Sequence, residues 1–138
     1  MELATNSTAV AGSAQSVGSQ GHFHKEQVVR VSQMNPAEYE TPIQARTWGP
    51  VSCSAAALTS ALRGYGVNVR IADVLREMPG AVSLDVGLVP RSSLVDAAKR
   101  FGVDAREDVS DWAQLEKATA AGQPVLANVI NRRFPEGH

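Results

Sequence analysis

The chain has 138 residues, of which 43% are hydrophobic, and its formal net charge is −1 at pH 7. That length favours one domain with a small core, and the lack of a basic cluster argues against nucleic acid as the main partner, because phosphate binding needs clustered Lys and Arg. No apolar run reaches the roughly 18–20 residues of a membrane-spanning helix, and a single cysteine excludes an internal disulfide and leaves a structural zinc site short of thiolates.

The first 26 residues are rich in Ser, Ala, Gly and Gln and contain few large apolar side chains. Such a segment cannot bury enough surface to offset the entropy of ordering, so residues 1–26 are predicted to form a disordered tail. The segment also lacks the basic and apolar regions of a signal peptide, which makes the cytoplasm the default compartment unless the N-terminus is incomplete.

The next two segments are predicted to be a strand and a loop. The β-branched run Gln27–Gln33 is typical of a short strand. Residues 35–50 contain three prolines, Pro36, Pro42 and Pro50, and show no apolar period. This second stretch is therefore predicted to be a loop.

A helix of small residues is predicted over 53–63. Ser52 is its expected N-cap, and Gly64 or Gly66 lies beyond its C-terminus. The many alanines indicate a helix that neighbouring elements approach closely. We expect it to pack against a strand at 125–130.

The rest of the chain alternates between helices and short apolar runs. Helices are predicted over 71–78, 93–102 and 111–121, because each pattern ends at a glycine or at Pro-Gly. A short strand is predicted over 103–106, and a nearly continuous apolar run over 125–130 predicts a buried central strand. The fold class is therefore α+β. The sheet is expected to be incomplete, because a buried strand needs neighbours on both sides.

Cys53 is the residue with the clearest chemical potential. A thiol becomes a good nucleophile when it ionises, and a helix N-terminus carries about half a positive charge together with free N–H groups, both of which favour the thiolate. The predicted helix places Cys53 at such a position. The alternative, a buried cysteine that acts as a small hydrophobic residue, is common in proteins and stays open at this point.

The stretch 53–66, CSAAALTSALRGYG, resembles the catalytic helix of the bacteriocin-processing cysteine peptidases, which act on double-glycine leaders and belong to the papain-like superfamily. In that family the nucleophilic cysteine opens a helix that ends in a Leu-Arg-Tyr-Tyr-Gly-like segment. Further pieces match the family in the same order over about residues 28–138: Val31-Ser32-Gln33, Ser93 to Gly102, Gln114 to Val125, and Gly137-His138.

This resemblance implies a papain-like cysteine peptidase domain over residues 27–138, with an N-terminal helical part and an incomplete antiparallel sheet. It implies that Cys53 is the nucleophile, His138 the general base and Gln33 the oxyanion donor in the hydrolysis of a peptide or other amide substrate. No cofactor is implied. The family has an orienting Asp or Asn after the histidine, so the domain is expected to be truncated at its C-terminus and weakly active or inactive in this form.

Alternatives stay open on three points: the residue at the nucleophile position, the oxyanion donor and the function. The family usually has Gly-Pro directly after the cysteine, whereas this chain has Gly-Pro before it. A register with Trp48 at the nucleophile position would make a dead enzyme, but it needs five extra residues before the glycine that ends the helix. Gln44 lies nearer to the cysteine than Gln33 does, but within the predicted loop. Acyl transfer to an amine and a non-catalytic binding module are the rival functions.

Overall fold

The computed structural model of the chain describes residues 4–5, 22–88, 90, 92–108 and 110–128. Five α-helices lie in these ranges: α1 (Pro42–Trp48), α2 (Cys53–Gly64), α3 (Ile71–Arg76), α4 (Ser92–Arg100) and α5 (Trp112–Ala120). Four strands of two residues lie there as well: β1 (Ala4–Thr5), β2 (Val82–Ser83), β3 (Gly87–Leu88) and β4 (Glu107–Asp108). β1 pairs with β4 and β2 with β3, both antiparallel. The described part of the chain is therefore mainly helical with few strands, which agrees with a broad α+β class.

Helix α2 is at the centre of the molecule, where it contacts both α3 and α4. Its buried face consists mostly of small side chains: Ala55, Ala56, Leu58, Thr59, Leu62 and Gly64. Small residues let neighbouring backbones approach closely, and larger apolar side chains from α3 and α4 fill the remaining space: Ile71, Val74, Leu94 and Val95. Apolar burial of this kind stabilises the fold by about 25 cal/mol for each Å² removed from water.

A buried ion pair ties the 3₁₀ turn Pro36–Glu38 to α2. The Nη2 atom of Arg63 donates to Glu38 Oε1 at 3.1 Å and to Oε2 at 2.8 Å, and Arg63 Nε donates to the Val69 carbonyl at 3.0 Å. The Glu38 side chain is only 10% exposed. The N–H group of Ile71, at the start of α3, also reaches Glu38 Oε2 at 3.4 Å. One carboxylate therefore joins the turn before α1 to both α2 and α3.

The strand predicted over Gln27–Gln33 is wrong. Lys25–Gln27 forms a 3₁₀ turn instead, and residues 28–32 pair with no strand in the described ranges. The side chain of Val29, at the centre of the run, is 62% exposed. A β-branched run becomes a strand where a neighbour pairs with it and one face is buried, and the fold supplies neither here.

The loop predicted over 35–50 is also wrong, because α1 lies within it. Thr41 Oγ1 caps this helix by accepting the N–H of Gln44 at 3.0 Å. Pro42 occupies the first helical position, where its missing N–H costs no hydrogen bond. Proline therefore starts a helix at this point rather than breaking one.

The four predicted helices are confirmed. The expected ranges 53–63, 71–78, 93–102 and 111–121 correspond to α2, α3, α4 and α5, with ends that shift by no more than two residues. Asp111 caps α5 by accepting the N–H of Gln114, the residue at N3, at 2.8 Å.

The two strands predicted after α2 are wrong in the residues that the structure describes. Residues 103–106 form no strand, and the two-residue β4 follows them. Residues 125–128 also lie outside any strand, while 129–130 fall outside the described residues. Leu126 nevertheless packs against the core, and together with Leu58 it lines a small apolar cavity beside α2. This segment covers the helix without forming a sheet, so the expected antiparallel sheet is reduced to two short pairs.

The segment before α1 packs against the C-terminal end of α2 through Phe23. Its ring lies 5.1 Å from that of Tyr65, centroid to centroid, and the next residue donates its N–H to the Gly64 carbonyl at 2.6 Å. A Cβ atom on Gly64 would lie 2.2 Å from Phe23 Cε2. Of the segment 1–26, residues 22–26 therefore pack on the domain and Ala4–Thr5 pairs with β4, while 1–3 and 6–21 fall outside the described residues.

Candidate active site

The single cysteine lies at the first residue of α2, as the sequence predicts. Its side chain is exposed, so the alternative of a buried hydrophobic cysteine is wrong. The helix has 12 residues, and the N–H groups of a first turn have no acceptor within their own helix. An exposed thiol in this position is accessible to reagents and substrates in solution.

Ser52 anchors the start of α2 in a way that the sequence did not predict. Its Oγ donates to the Trp48 carbonyl at 2.6 Å, and the residue is fully buried. The expected side-chain cap is therefore wrong, because the hydroxyl faces the preceding turn rather than the helix. The Ser52 carbonyl begins the helix by accepting the N–H of Ala56 at 2.8 Å. The helix start is thus fixed to the 3₁₀ turn Gly49–Val51.

Gln33 contacts the same turn from the other side. Its Nε2 donates to the Gly49 carbonyl at 2.7 Å, across 16 residues of sequence. A Cβ atom on Gly49 would lie 3.1 Å from the Gln33 carbonyl oxygen, so the two backbones are in close contact. The structure therefore brings Gln33 to the turn that leads into Cys53 and holds its carboxamide there.

Tyr39 completes a hydrogen-bonded cluster at this turn. Its hydroxyl donates to the Gln33 carbonyl at 2.6 Å, and the residue is 3% exposed. Burial raises the pKa of Tyr39 above its ordinary value of 10.0, the hydrogen bond with Ser52 partly offsets that rise, and the charge of Glu38 adds to it. No sequence pattern marks Tyr39, because one tyrosine among polar residues has no periodic signal.

The raised pKa of Tyr39 has a consequence for stability at high pH. The folded chain holds the phenolic proton more tightly than the unfolded chain does, so this contribution is complete below about pH 10 and is lost as the pH rises further. We expect the urea midpoint to fall as the pH rises above about 10, and Tyr39→Phe to reduce that fall. Tyr65→Phe is the matched control and keeps the Tyr39 contribution. An equal alkaline fall in the parent and in Tyr39→Phe would contradict the prediction.

Gln44, the alternative oxyanion donor, is engaged at the other end of α1. Its Oε1 accepts the N–H of Glu40 at 2.7 Å, and its own N–H donates to Thr41 Oγ1 at 3.0 Å, so both bonds lie at the N-terminal end of α1. Trp48, the alternative occupant of the nucleophile position, is the last residue of α1 and is partly buried against the core. Of the two glutamines, Gln33 is thus the one whose carboxamide binds the turn before Cys53.

His138 lies outside the described residues, as does the glycine before it. The described histidines His22 and His24 lie near the opposite end of α2, where the N–H of His24 binds the last residue of that helix. No group of three or more His, Cys, Asp and Glu side chains within the described ranges is placed to hold a metal ion.

Comparison with protein-family models, with curated proteins and with solved structures finds no match for this chain. In the part of the chain that the structure describes, no helix combines the length and the apolar character needed to cross a bilayer. A functional conclusion therefore has to be drawn from the residues around Cys53.

Proposed function

We propose that this protein is a papain-like thiol hydrolase of peptide or other amide bonds, with Cys53 as nucleophile and His138 as general base. The observation that carries the proposal is the exposed thiol at the first residue of the 12-residue helix α2. The ordered resemblance that runs from Cys53 to the final Gly-His supports the choice of reaction. The mixed, mainly helical fold is compatible with this proposal at the level of fold class.

The proposed reaction has two halves. In the first, Cys53 Sγ attacks the amide carbonyl carbon, the C–N bond breaks, and the leaving amine takes the proton that the thiol gave to His138. A thioester remains on Cys53. In the second half, water adds to the thioester, gives a proton to His138, and releases the carboxylic acid and the thiol.

Gln33 is the proposed donor to the negative oxygen that develops during each attack. A carboxamide nitrogen carries two hydrogens. The bond from Gln33 Nε2 to Gly49 uses one of them and fixes the amide plane, while the second hydrogen is the one proposed to meet the oxyanion. A donor held in place before the reaction stabilises the transition state without the cost of reorganisation.

The first test measures the chemistry of the thiol. At neutral pH we expect Cys53 in the folded chain to react with iodoacetamide about twofold to fivefold faster than the same cysteine in a synthetic peptide of residues 46–58, which corresponds to the effect of a helix N-terminus. A folded chain that reacts no faster than the peptide would argue against an activated nucleophile.

The second test measures turnover on a panel of fluorogenic peptide amides. The parent chain should cleave weakly, and that cleavage should fall to the background rate in Cys53→Ala and persist in Ala57→Ser, a matched control because Ala57 is exposed one turn further along α2. Cleavage that persists in Cys53→Ala, or a lack of cleavage across the whole panel, would contradict the proposal. Added glycinamide distinguishes the two fates of the thioester, because transfer yields the substituted amide and hydrolysis yields the free acid.

A further inference from the structure

Two buried tyrosines lie near opposite ends of α2. Tyr39 is 3% exposed and contacts Ser52 at the N-terminal end, whereas Tyr65 is 2% exposed and contacts Phe23 at the C-terminal end. The two residues are equal in size and nearly equal in burial. They differ in what they contact, because the Tyr39 hydroxyl donates to the Gln33 carbonyl, whereas the Tyr65 ring packs against Phe23.

The hydroxyl of Tyr39 belongs to a ring of contacts around the turn Gly49–Val51. It donates to the Gln33 carbonyl at 2.6 Å, and Gln33 Nε2 donates to the Gly49 carbonyl at 2.7 Å. Ser52 Oγ donates to the Trp48 carbonyl at 2.6 Å and also lies within hydrogen-bonding reach of the Tyr39 phenol. The ring therefore links both sides of the turn that leads into α2.

Two arginines bind the backbone of Tyr39 and the side chain of the residue before it. Glu38 accepts two hydrogen bonds from Arg63, at 3.1 and 2.8 Å. The Tyr39 carbonyl accepts from Arg70 Nη1 at 3.3 Å. The pair of Glu38 with Arg63 joins the residue before Tyr39 to α2, near the C-terminal end of that helix.

We infer that Tyr39 is a positioning residue of the Cys53 site, whose buried hydroxyl holds Gln33 and the Gly49–Val51 turn against the first turn of α2. Loss of the hydroxyl leaves the partly buried Gln33 carbonyl without its donor and loosens the helix start. The inference rests on the proposed function only where Gln33 acts as the oxyanion donor. Its effect on the Cys53 thiol is independent of any substrate.

The test compares Tyr39→Phe with Tyr65→Phe in the full chain. Each variant is first shown to be folded by circular dichroism and by a cooperative urea transition. We expect Tyr39→Phe to slow the reaction of Cys53 with iodoacetamide at pH 7 by about threefold, because a frayed first turn favours the thiolate less. Tyr65→Phe should leave that rate unchanged even where it lowers the urea midpoint as much. Ser52→Ala, which removes a different hydroxyl from the ring, should slow the rate as Tyr39→Phe does, and it provides the answer if Tyr39→Phe fails to fold.

Equal rates in the parent and in the Tyr39 or Ser52 variant, or equal slowing by both Tyr→Phe changes, would overturn the inference. If the parent cleaves amides, Tyr39→Phe should lower kcat and leave KM nearly unchanged. If the parent cleaves none while Tyr39→Phe still slows alkylation, the hydrolase proposal fails and the positioning role of Tyr39 stands.

Discussion

Replacing Arg63 with alanine is expected to lower the free energy of unfolding by about 3–5 kcal/mol, because it leaves a buried carboxylate without its partner. Glu38 has a side chain that is 10% exposed, and both of its oxygens accept from Arg63. The remaining donor to this carboxylate, the Ile71 N–H, is 3.4 Å away and is a weak substitute.

Arg76→Ala is the matched control for this measurement. Arg76 also forms ion pairs, with Glu40 and Asp73, but its side chain is 58% exposed. An exposed pair contributes about 0–1 kcal/mol, so the control should cost no more than that in urea denaturation. The double variant Glu38→Gln/Arg63→Met should be more stable than Arg63→Ala alone, because no buried charge is left unpaired. A cost for Arg63→Ala as small as that for Arg76→Ala would show that water reaches the Glu38 carboxylate.

The effect of Gly64→Ala on the free energy of unfolding is expected to depend on residue 23. The substitution should destabilise the parent chain and stabilise a chain that lacks the Phe23 ring. In a helix, alanine is favoured over glycine by about 1 kcal/mol. In the parent chain, however, the new Cβ would lie 2.2 Å from Phe23 Cε2 and displace a ring that packs against Tyr65. Steric displacement of this kind costs about 1–3 kcal/mol and outweighs the gain in helix propensity.

In a Phe23→Ala background the obstacle is gone, so Gly64→Ala should stabilise the chain by up to about 1 kcal/mol. The four chains of this double-mutant cycle are compared by urea denaturation, and the coupling between residues 23 and 64 should be about 1.5 kcal/mol or more. Ala57→Gly, at an exposed position of the same helix, controls for propensity alone. Additive effects of the two substitutions would show that Phe23 does not pack on Gly64.

Local sequence patterns were sufficient to predict the helices but not the strands. Glycines at the predicted helix ends, such as Gly66 with φ of 80° and Gly102 with φ of 81°, adopt the left-handed conformation that stops a helix. This is a local effect, so it is visible in the sequence. The runs 27–33 and 125–130 satisfied local preferences for a strand, but a strand requires a partner elsewhere in the chain.

The sequence by itself determined helices α2 to α5 and the position of Cys53 at the first residue of α2, because alanine content, helix stops and apolar spacing act within a few residues. Only the tertiary structure decided which residues surround that cysteine. The bond from Gln33 to Gly49 spans 16 residues and the pair of Glu38 with Arg63 spans 25. Contacts of that range depend on how the whole chain packs, so no local pattern marked Tyr39. The sequence placed Ser52 at the start of the helix but not its hydrogen bond to the Trp48 carbonyl.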